Sequence, residues 1–395
     1  MLWIELLLQG TAILFLIPVL VIFVQVLSAY LPRSKKELRQ SPPARIAVLV
    51  PAHNEETGIA ATINSILRQL QAGDRLLVVA DNCSDNTARI ASEYGAEVIE
   101  RHHLENRGKG YALDFGIQFL AKNPPDIVVI IDADCELKDD SLVKLTAHSL
   151  QHNRPVQCLY LMLSPPNTGL KIKIAEFAWV VRNQVRPLGN TRLGLPCQLM
   201  GTGMAFPWTT ISGSQLANSN LVEDMKLGID LALTDNPPLF YEDALVTSYF
   251  PATAKAQSTQ RTRWEHGHLG MIFSQVPRLL AQGFIKRNKD MLAMALDLCV
   301  PPLALLVMLL SILFMLSALA CAMGVTCLPL FTSLVSIFLL ALSITLAWWR
   351  WARHIISPIA FLSIPLYVLS KLPHYFKFLL KREKKWISTD RKNKD

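Results

Sequence analysis

Ile127-Val-Val-Ile-Ile-Asp-Ala-Asp-Cys-Glu136 is the stretch on which the reading of this chain turns. Five consecutive β-branched residues without polar alternation predict a strand covered on both faces, as in the middle of a parallel sheet. The strand runs into Asp132 and Asp134, whose side chains share one face of an extended backbone. Two carboxylates at the end of a buried strand are costly unless compensated. A hard cation, Mg²⁺ or Mn²⁺, with substrate phosphates completing its shell, is one compensation. The other is local: Asp134 caps the next turn and Asp132 accepts backbone N–H bonds. On this stretch alone both readings stand.

Working outward, strands and helices alternate. Residues 46–50, 76–80 and 97–99 read as strands. Residues 58–70 place Ile59, Ile63, Ile66, Leu67 and Leu70 at helical spacing, and residues 85–93 and 109–120 predict two more helices. The alternation predicts an α/β domain with a mostly parallel, doubly wound, Rossmann-like sheet, whose ligands bind beyond the carboxyl ends of the strands. Polar residues collect at those ends: His53, Asn54 and Glu55, then Asp81 and Asn82, then Asp132 and Asp134. Asn106-Arg-Gly-Lys-Gly110 precedes a helix, where Lys109 and open backbone N–H groups suit an anion. It is no Walker loop, and such glycines are common in plain turns.

Residues 156–163 predict a strand, residues 170–185 a helix, and Gly201-Thr-Gly-Met-Ala-Phe206 a bend without the third glycine of a dinucleotide loop. In Asn220-Leu-Val-Glu-Asp224, Asn220 as N-cap with Glu223 three residues on reads as a capping box. Asp224 is not needed for that cap. A carboxylate in the first helical turn is stabilised by the helix dipole, which suits a base. In Gln260-Arg-Thr-Arg-Trp264, helical spacing puts Gln260, Arg263 and Trp264 on one face, able to hold a diphosphate and stack on a sugar ring. The plainer alternative is an interfacial helix. His266 and His268 are too sparse to argue for a metal.

The chain is 51% hydrophobic, and the apolar surplus is gathered at residues 6–30, about 292–323 and 328–349. About 20 such residues at 1.5 Å each span a bilayer core. Residues 1–32 are expected to form an uncleaved anchor, since Glu5 rather than lysines fronts the run. Residues 44–290, behind a Ser41-Pro-Pro43 linker, are expected to form a soluble domain, and residues 291–350 two further spans. Residues 355–369, broken by Pro358 and Pro365, read as interfacial or re-entrant, so that 351–395 holds this segment and a basic cytosolic tail. The net charge of +8 is concentrated beside the apolar blocks, as at Arg33, Lys35, Lys36 and Arg39. That pattern marks a cytoplasmic membrane face and makes nucleic acid a poor partner. The seven cysteines show no metal spacing, and Cys321 and Cys327 would pair only where their turn faces an oxidising compartment.

In order along the chain, Pro51-Ala-His-Asn-Glu55, Asp81-Asn-Cys-Ser-Asp85, Arg107-Gly-Lys-Gly110, Asp132-Ala-Asp134, Glu223-Asp224 and Gln260-x-x-Arg263-Trp264 resemble the membrane-bound family 2 inverting glycosyltransferases. That group includes hyaluronan, cellulose and chitin synthases. Trp386-Ile-Ser-Thr-Asp-Arg391 is similar to the tail of many bacterial members. The resemblance implies a GT-A-like mixed α/β sheet with flanking transmembrane helices. It implies that Pro51, Ala52, Asn54, Glu55 and Asp81 hold uridine, with Lys109 and Asp132 near the nucleotide. Asp134, helped by Asp132, would carry Mg²⁺ or Mn²⁺ on the diphosphate. Asp224, beside Glu223, would deprotonate the acceptor, and Gly201, Gln260, Arg263 and Trp264 would contact diphosphate and acceptor. A UDP-sugar donor, a lipid or polysaccharide acceptor, a bacterial cell membrane, and capsule, exopolysaccharide or glycolipid assembly go with it. Val222 departs from the threonine of many members, and there is no long gating segment or cyclic-dinucleotide module. Processive synthesis through its own channel is therefore not implied. Two other classes stay open: a metal-dependent membrane nucleotidyl or phosphate transferase, and a non-catalytic scaffold.

Overall fold

The computed structural model describes residues 2–33, 44–218, 220–251 and 253–363. Lys35, Lys36, Arg39, the Ser41-Pro-Pro43 linker, the end of the 355–369 segment, the basic tail and the 386–391 motif lie outside the described residues. Helix α1 (Leu2–Ser28) comes first. The expected alternation follows: β1 (Ile46–Ala52), α2 (Ile59–Leu67), β2 (Arg75–Asp81), α3 (Thr87–Glu93), β3 (Glu97–Arg101), α4 (Lys109–Leu120) and β4 (Ile127–Ile130). Then come β5 (Glu136–Leu137), α5 (Ser141–His152), β6 (Val156–Leu163), α6 (Leu170–Val180), a π turn (Val181–Val185) and α7 (Arg186–Arg192). The domain continues through β7 (Met204–Pro207), α8 (Trp208–Ile211), α9 (Glu223–Leu233), β8 (Leu239–Tyr249), α10 (Ala254–Ile285) and α11 (Lys289–Leu298). Last are α12 (Leu303–Ala322), α13 (Leu328–Ala347), a π turn (Trp348–Ala352) and α14 (Pro358–Phe361).

The strands form one mixed sheet of order β3-β2-β1-β4-β7-β6-β8-β5. Its first four strands are parallel, and β4 and β1 are central, buried on both faces. Val48, Val50 and Val129 pack on one side with Ile59 and Ile63 of α2. Leu49, Val128 and Ile130 pack on the other with Leu113, Ile117 and Leu120 of α4. Apolar residues thus occupy both registers of each strand, because each face has its own helical cover. The register Leu49↔Ile130 and Ala52↔Ala80 brings the carboxyl ends of β1, β2 and β4 to one edge. The second half is less parallel: β7 pairs antiparallel with both β4 and β6.

Three expectations need correction. The apolar block at 292–323 is two elements, broken at Pro301-Pro302, where missing N–H groups prevent a continuous helix. Its first part, α11, is capped by Asn288 and buries Met291, Met294 and Leu298 against Met225 and Ile229 of α9 rather than entering the membrane region. The capping box at 220–223 does not form: Val222 occupies the N-cap, no side chain caps the helix, and Asn220 bonds to Asn218. The start of α9 packs closely on α10, where a Cβ on Gly267 would lie 2.7 Å from Val222 Cγ1. Finally, the helix expected at 170–185 runs on to Arg192 through a π turn. Pro187 has no N–H to give the Asn183 carbonyl four residues back, and the helix widens there.

Among the described residues three helices are long and apolar enough to cross a bilayer: Leu2–Ser28, Leu303–Ala322 and Leu328–Ala352, with mean hydropathies of 2.6, 2.8 and 2.3. Leu7, Leu14, Met315 and Phe338 on them are each more than half exposed, an apolar surface suited to lipid. Gln9 Nε2 donates to Thr332 Oγ1 (3.3 Å) at one end, and Tyr30 OH donates to the Leu346 carbonyl (2.7 Å) at the other. The α12–α13 turn therefore lies away from the α/β domain, and Cys321 and Cys327 are disulfide-bonded across it. At the domain end, Gln25 of α1 donates to Asn190 Oδ1 (3.1 Å) and Asp297 Oδ1 (2.7 Å). Arg186 donates to Gln25 Oε1 (2.8 Å) and pairs with Asp297 (2.8 Å). Every charge in this buried cluster has a partner, the condition under which such a cluster is tolerated. A Cβ on Gly189 would lie 1.9 Å from the Gln25 carbonyl, so α7 meets α1 through a bare backbone.

Candidate active site

The aligned strand ends open into a cleft of about 210 Å³. From β1 come Pro51, Ala52 and, just beyond, Glu55; from the end of β2 comes Asp81. Asp81 is 6% exposed and accepts from Arg101 NH1 (2.6 Å) and Asn82 Nδ2 (2.9 Å). The His53 ring nitrogen Nδ1 lies 2.7 Å from the Asp81 carbonyl and, as the protonated nitrogen, donates to it, binding the two strand ends together. Asn54 departs from the expected set. Its backbone is left-handed (φ 55°), its Oδ1 accepts from Ser84 N (2.8 Å), and it does not line the cleft.

Asp132 and Asp134 lie on the floor. The Asp132 amide donates to Thr202 Oγ1 (3.0 Å), and its carboxylate pairs with Lys109. Lys109 Nζ also donates to the Gly201 carbonyl (2.6 Å). Burial pulls the Lys109 ammonium down, but the charges of Asp132 and Glu223 outweigh it, and its pKa lies above the ordinary lysine value. Burial raises the Asp132 carboxyl despite Lys109. The bend at 200–203 that presents Gly201 is held from beneath by fully buried Gln157, which accepts from Met200 N (2.8 Å) and donates to the Thr202 carbonyl (2.8 Å). Gly201 itself has φ +94°, and a Cβ there would sit 3.2 Å from Asp224 Oδ2.

Glu223 and Asp224 form the first turn of α9 on the facing wall, at the positive end of its dipole. Burial first, and the neighbouring Asp224 second, push Glu223 up to about 7. Gln260, Arg263 and Trp264 lie along one side of α10 and complete the cleft, as their spacing predicts. The Trp264 ring sits 5.1 Å from that of Trp179. Trp179, Arg182 and Asn183 also line the cleft and were not singled out in the sequence. Their signal was weak: Trp179 and Arg182 lie in a helix that also carries Lys171, Lys173 and Glu176, and they reach the cleft where the π turn widens it.

Among the described residues the cluster with metal-ligand spacing is Asp132, Asp134 and Cys135, with ligand atoms within 4.8 Å of one another. Two carboxylates open to a cleft fit a hard, oxygen-seeking cation. Cys135 is fully buried behind them, with Sγ 3.6 Å from Asp134 Oδ1, and a neutral thiol adds nothing to such a shell. His266 and His268 belong to no such cluster.

His268 is buried in α10, and its Nε2 lies 3.2 Å from the Leu298 carbonyl, a bond it makes as an N–H donor. Burial lowers its pKa from 6.5 to about 3, so it is neutral in the folded protein. As pH falls below 6.5 the unfolded chain takes up this proton first, and stability is lost from there down towards pH 3. The slope is about 1.4 kcal/mol per pH unit. Thermal unfolding of the purified protein at pH about 7 and about 5.5 should show a lower midpoint in acid, by a margin that His268→Gln reduces. An equal margin in the variant removes His268 as the cause.

Known proteins resemble this chain in sequence and in fold. The family profile described as Glycosyltransferase like family 2 matches residues 42–267. The probable glycosyltransferase YdaM of Bacillus subtilis (strain 168) is 26% identical over 286 residues, covering 66% of this chain and 62% of the relative. The 4,4'-diaponeurosporenoate glycosyltransferase of Staphylococcus haemolyticus (strain JCSC1435) is 25% identical over 216 residues, covering 50% of this chain and 54% of the relative. The chain thus spans less than two thirds of the length of either. Among solved structures, the mannosyltransferase PcManGT from Pyrobaculum calidifontis, in complex with GDP-Man and Mn²⁺, superposes with a TM-score of 0.58 at 18% identity, covering 96% of this chain and 99% of that one. That likeness is one of fold: a GT-A-like mixed α/β sheet with accompanying helices.

Proposed function

Because the chain belongs to the family described as Glycosyltransferase like family 2, with more than half its length inside the family profile, we propose that it is an inverting transferase. It moves a sugar from a nucleotide-sugar donor, a UDP-sugar, to a lipid or saccharide acceptor at the cytoplasmic face of a bacterial cell membrane. Residues 44–290, with α11 packed onto them, form the catalytic domain in this reading. Residues 1–32 and 291–350 hold it to the bilayer, and 351–395 form an interfacial segment and tail.

One observation carries the proposal. A single cleft gathers two carboxylate pairs with different duties, Asp132 with Asp134 on the floor and Glu223 with Asp224 on the wall, beneath a Gln-Arg-Trp face. In this mechanism the carboxyl ends of β1 and β2, with Asp81, hold the nucleoside. Asp134 and Asp132 hold Mg²⁺ or Mn²⁺, which when bound supplies positive charge to the donor diphosphate. Arg263 donates to diphosphate oxygens as charge develops on the leaving group. Asp224 accepts the proton of the acceptor hydroxyl as its oxygen bonds to the anomeric carbon. The bond from that carbon to the diphosphate breaks on the opposite side, and configuration inverts. Trp264 and Trp179 offer an aromatic wall to the sugars.

The test is a panel of nucleotide sugars with purified protein, Mn²⁺ and a membrane lipid or oligosaccharide fraction, read by nucleoside diphosphate release and product mass. One donor class should yield a product heavier by one sugar residue. A product carrying nucleotide or phosphate instead, or no turnover of any donor, sinks the proposal.

A further inference from the structure

A second cleft, of about 170 Å³, opens behind the first and shares Trp179, Arg182, Gln260 and Trp264 with it. Its far walls are apolar: Ala175 and Ala178 of α6, Phe250, and Val300, Leu303 and Ala304. Leu303 and Ala304 are the first residues of α12, a membrane-length helix. The space therefore runs from the foot of a spanning helix to the candidate active site. A sugar chain would need hydrogen-bonding groups along such walls, whereas a hydrocarbon chain is favoured by them.

The cationic side chains on the shared side differ in their commitments. Arg186 is held by Asp297 and Gln25, and His268 is neutral. Arg182 lines both clefts, with its guanidinium 5.9 Å from the Trp179 ring centroid. Among the described residues no hydrogen bond or ion pair holds it. Arg261, on α10, lines the second cleft and is likewise unpaired among the described residues. The carboxylates of Asp224, Asp297 and Glu265 act on Arg182 from a distance, but none forms an ion pair with it, and its planar fork, partly desolvated, matches a phosphate or carboxylate.

We propose that the second cleft takes a membrane lipid with an anionic head, its hydrocarbon chain lying over Ala175, Ala178 and Leu303 and its head on Arg182 at the junction of the two clefts. The acceptor then enters sideways from the bilayer and meets Asp224 without leaving the membrane. This rests on the glycosyltransferase reading and narrows its acceptor to an amphipathic anion.

Three probes separate chain from charge: oleoyl lysophosphatidic acid, monooleoylglycerol with the same chain and no charge, and glycerol 3-phosphate with the charge and no chain. Binding to the full chain in neutral detergent is read by native mass spectrometry. Binding of Mn²⁺ with a nucleoside diphosphate, measured in parallel, reports an intact nucleotide site. Lysophosphatidic acid should bind at least tenfold more tightly than either control. Ala178→Phe and Ala304→Leu, which fill the cleft from opposite walls, should each weaken it about tenfold while nucleotide binding persists. Arg182→Gln should erase the preference over monooleoylglycerol. Equal binding of the charged and neutral lipids, or undiminished binding in both filling variants, overturns the inference. With nucleotide binding intact, either result leaves the transferase reading standing. Failure of the wild-type protein to bind any nucleotide sinks that reading instead, and the acceptor site with it.

Discussion

Asp134→Ala is expected to lower donor turnover at least 1,000-fold, about 4 kcal/mol of transition-state stabilisation, with no rescue by millimolar Mn²⁺. The argument begins at the floor of the cleft. Asp132 is already paired with Lys109, and Lys109 is fixed again by the Gly201 carbonyl. Asp132 therefore has two duties, and its substitution would disturb the lysine as well as any cation. Asp134 stands two residues on, facing the same cleft, with the Cys135 thiol 3.6 Å from its Oδ1. Its removal leaves one carboxylate where a hard cation needs several oxygen ligands. Two measurements isolate the cause. Nucleoside diphosphate affinity should depend on Mn²⁺ in the wild-type protein and lose that dependence in Asp134→Ala, while the circular dichroism spectrum is unchanged. A variant that keeps a tenth of wild-type turnover with normal Mn²⁺ dependence would show that the cation is held elsewhere.

How far the site was legible followed from the kind of structure each residue depends on. The central strand announced itself because β4 is covered on both faces, so its apolar run has no alternation. Its neighbours' carboxyl ends followed from parallel alternation alone, which puts Asp81 and Asp132 at one edge. Helical spacing was enough for Gln260, Arg263 and Trp264. The second half of the sheet was not readable in this way. A four-residue strand such as β7 carries no periodicity, and its antiparallel insertion between β4 and β6 depends on the Gln157 bonds beneath the 200–203 bend. Arg182 and Trp179 were missed because a π turn, caused by a proline five residues beyond the arginine, changes which face of the helix they occupy. The capping box at Asn220 failed for a related reason. Val222, packed under Gly267 from a distant part of the chain, takes the N-cap position, and Asn220 bonds to Asn218 instead.

That failed cap sharpens the expectation for Asp224→Asn: a loss of about 1,000-fold in kcat, with nucleotide and Mn²⁺ affinity changed less than threefold. Had Glu223 closed a capping box, it would have been tied to the helix start, and Asp224 would be the base by elimination. In the structure neither carboxylate caps the helix, so the choice rests on chemistry and position. Glu223, pushed up to about 7 by burial and by Asp224, holds its proton below neutral pH and is a poor acceptor there. Asp224 Oδ2 lies beside Gly201, where a Cβ would crowd it at 3.2 Å. Asparagine keeps the size and the hydrogen-bonding ability of this side chain but cannot take a proton, so binding should survive while transfer stops. Single-turnover transfer, measured beside equilibrium binding of donor, reads the two separately. Glu223→Gln is the matched control. It should keep most of its activity below pH 7, where the native residue is already neutral, and retain less above it. If Glu223→Gln proves the dead variant and Asp224→Asn the active one, the two roles are exchanged, and the base lies one residue earlier on the same helix.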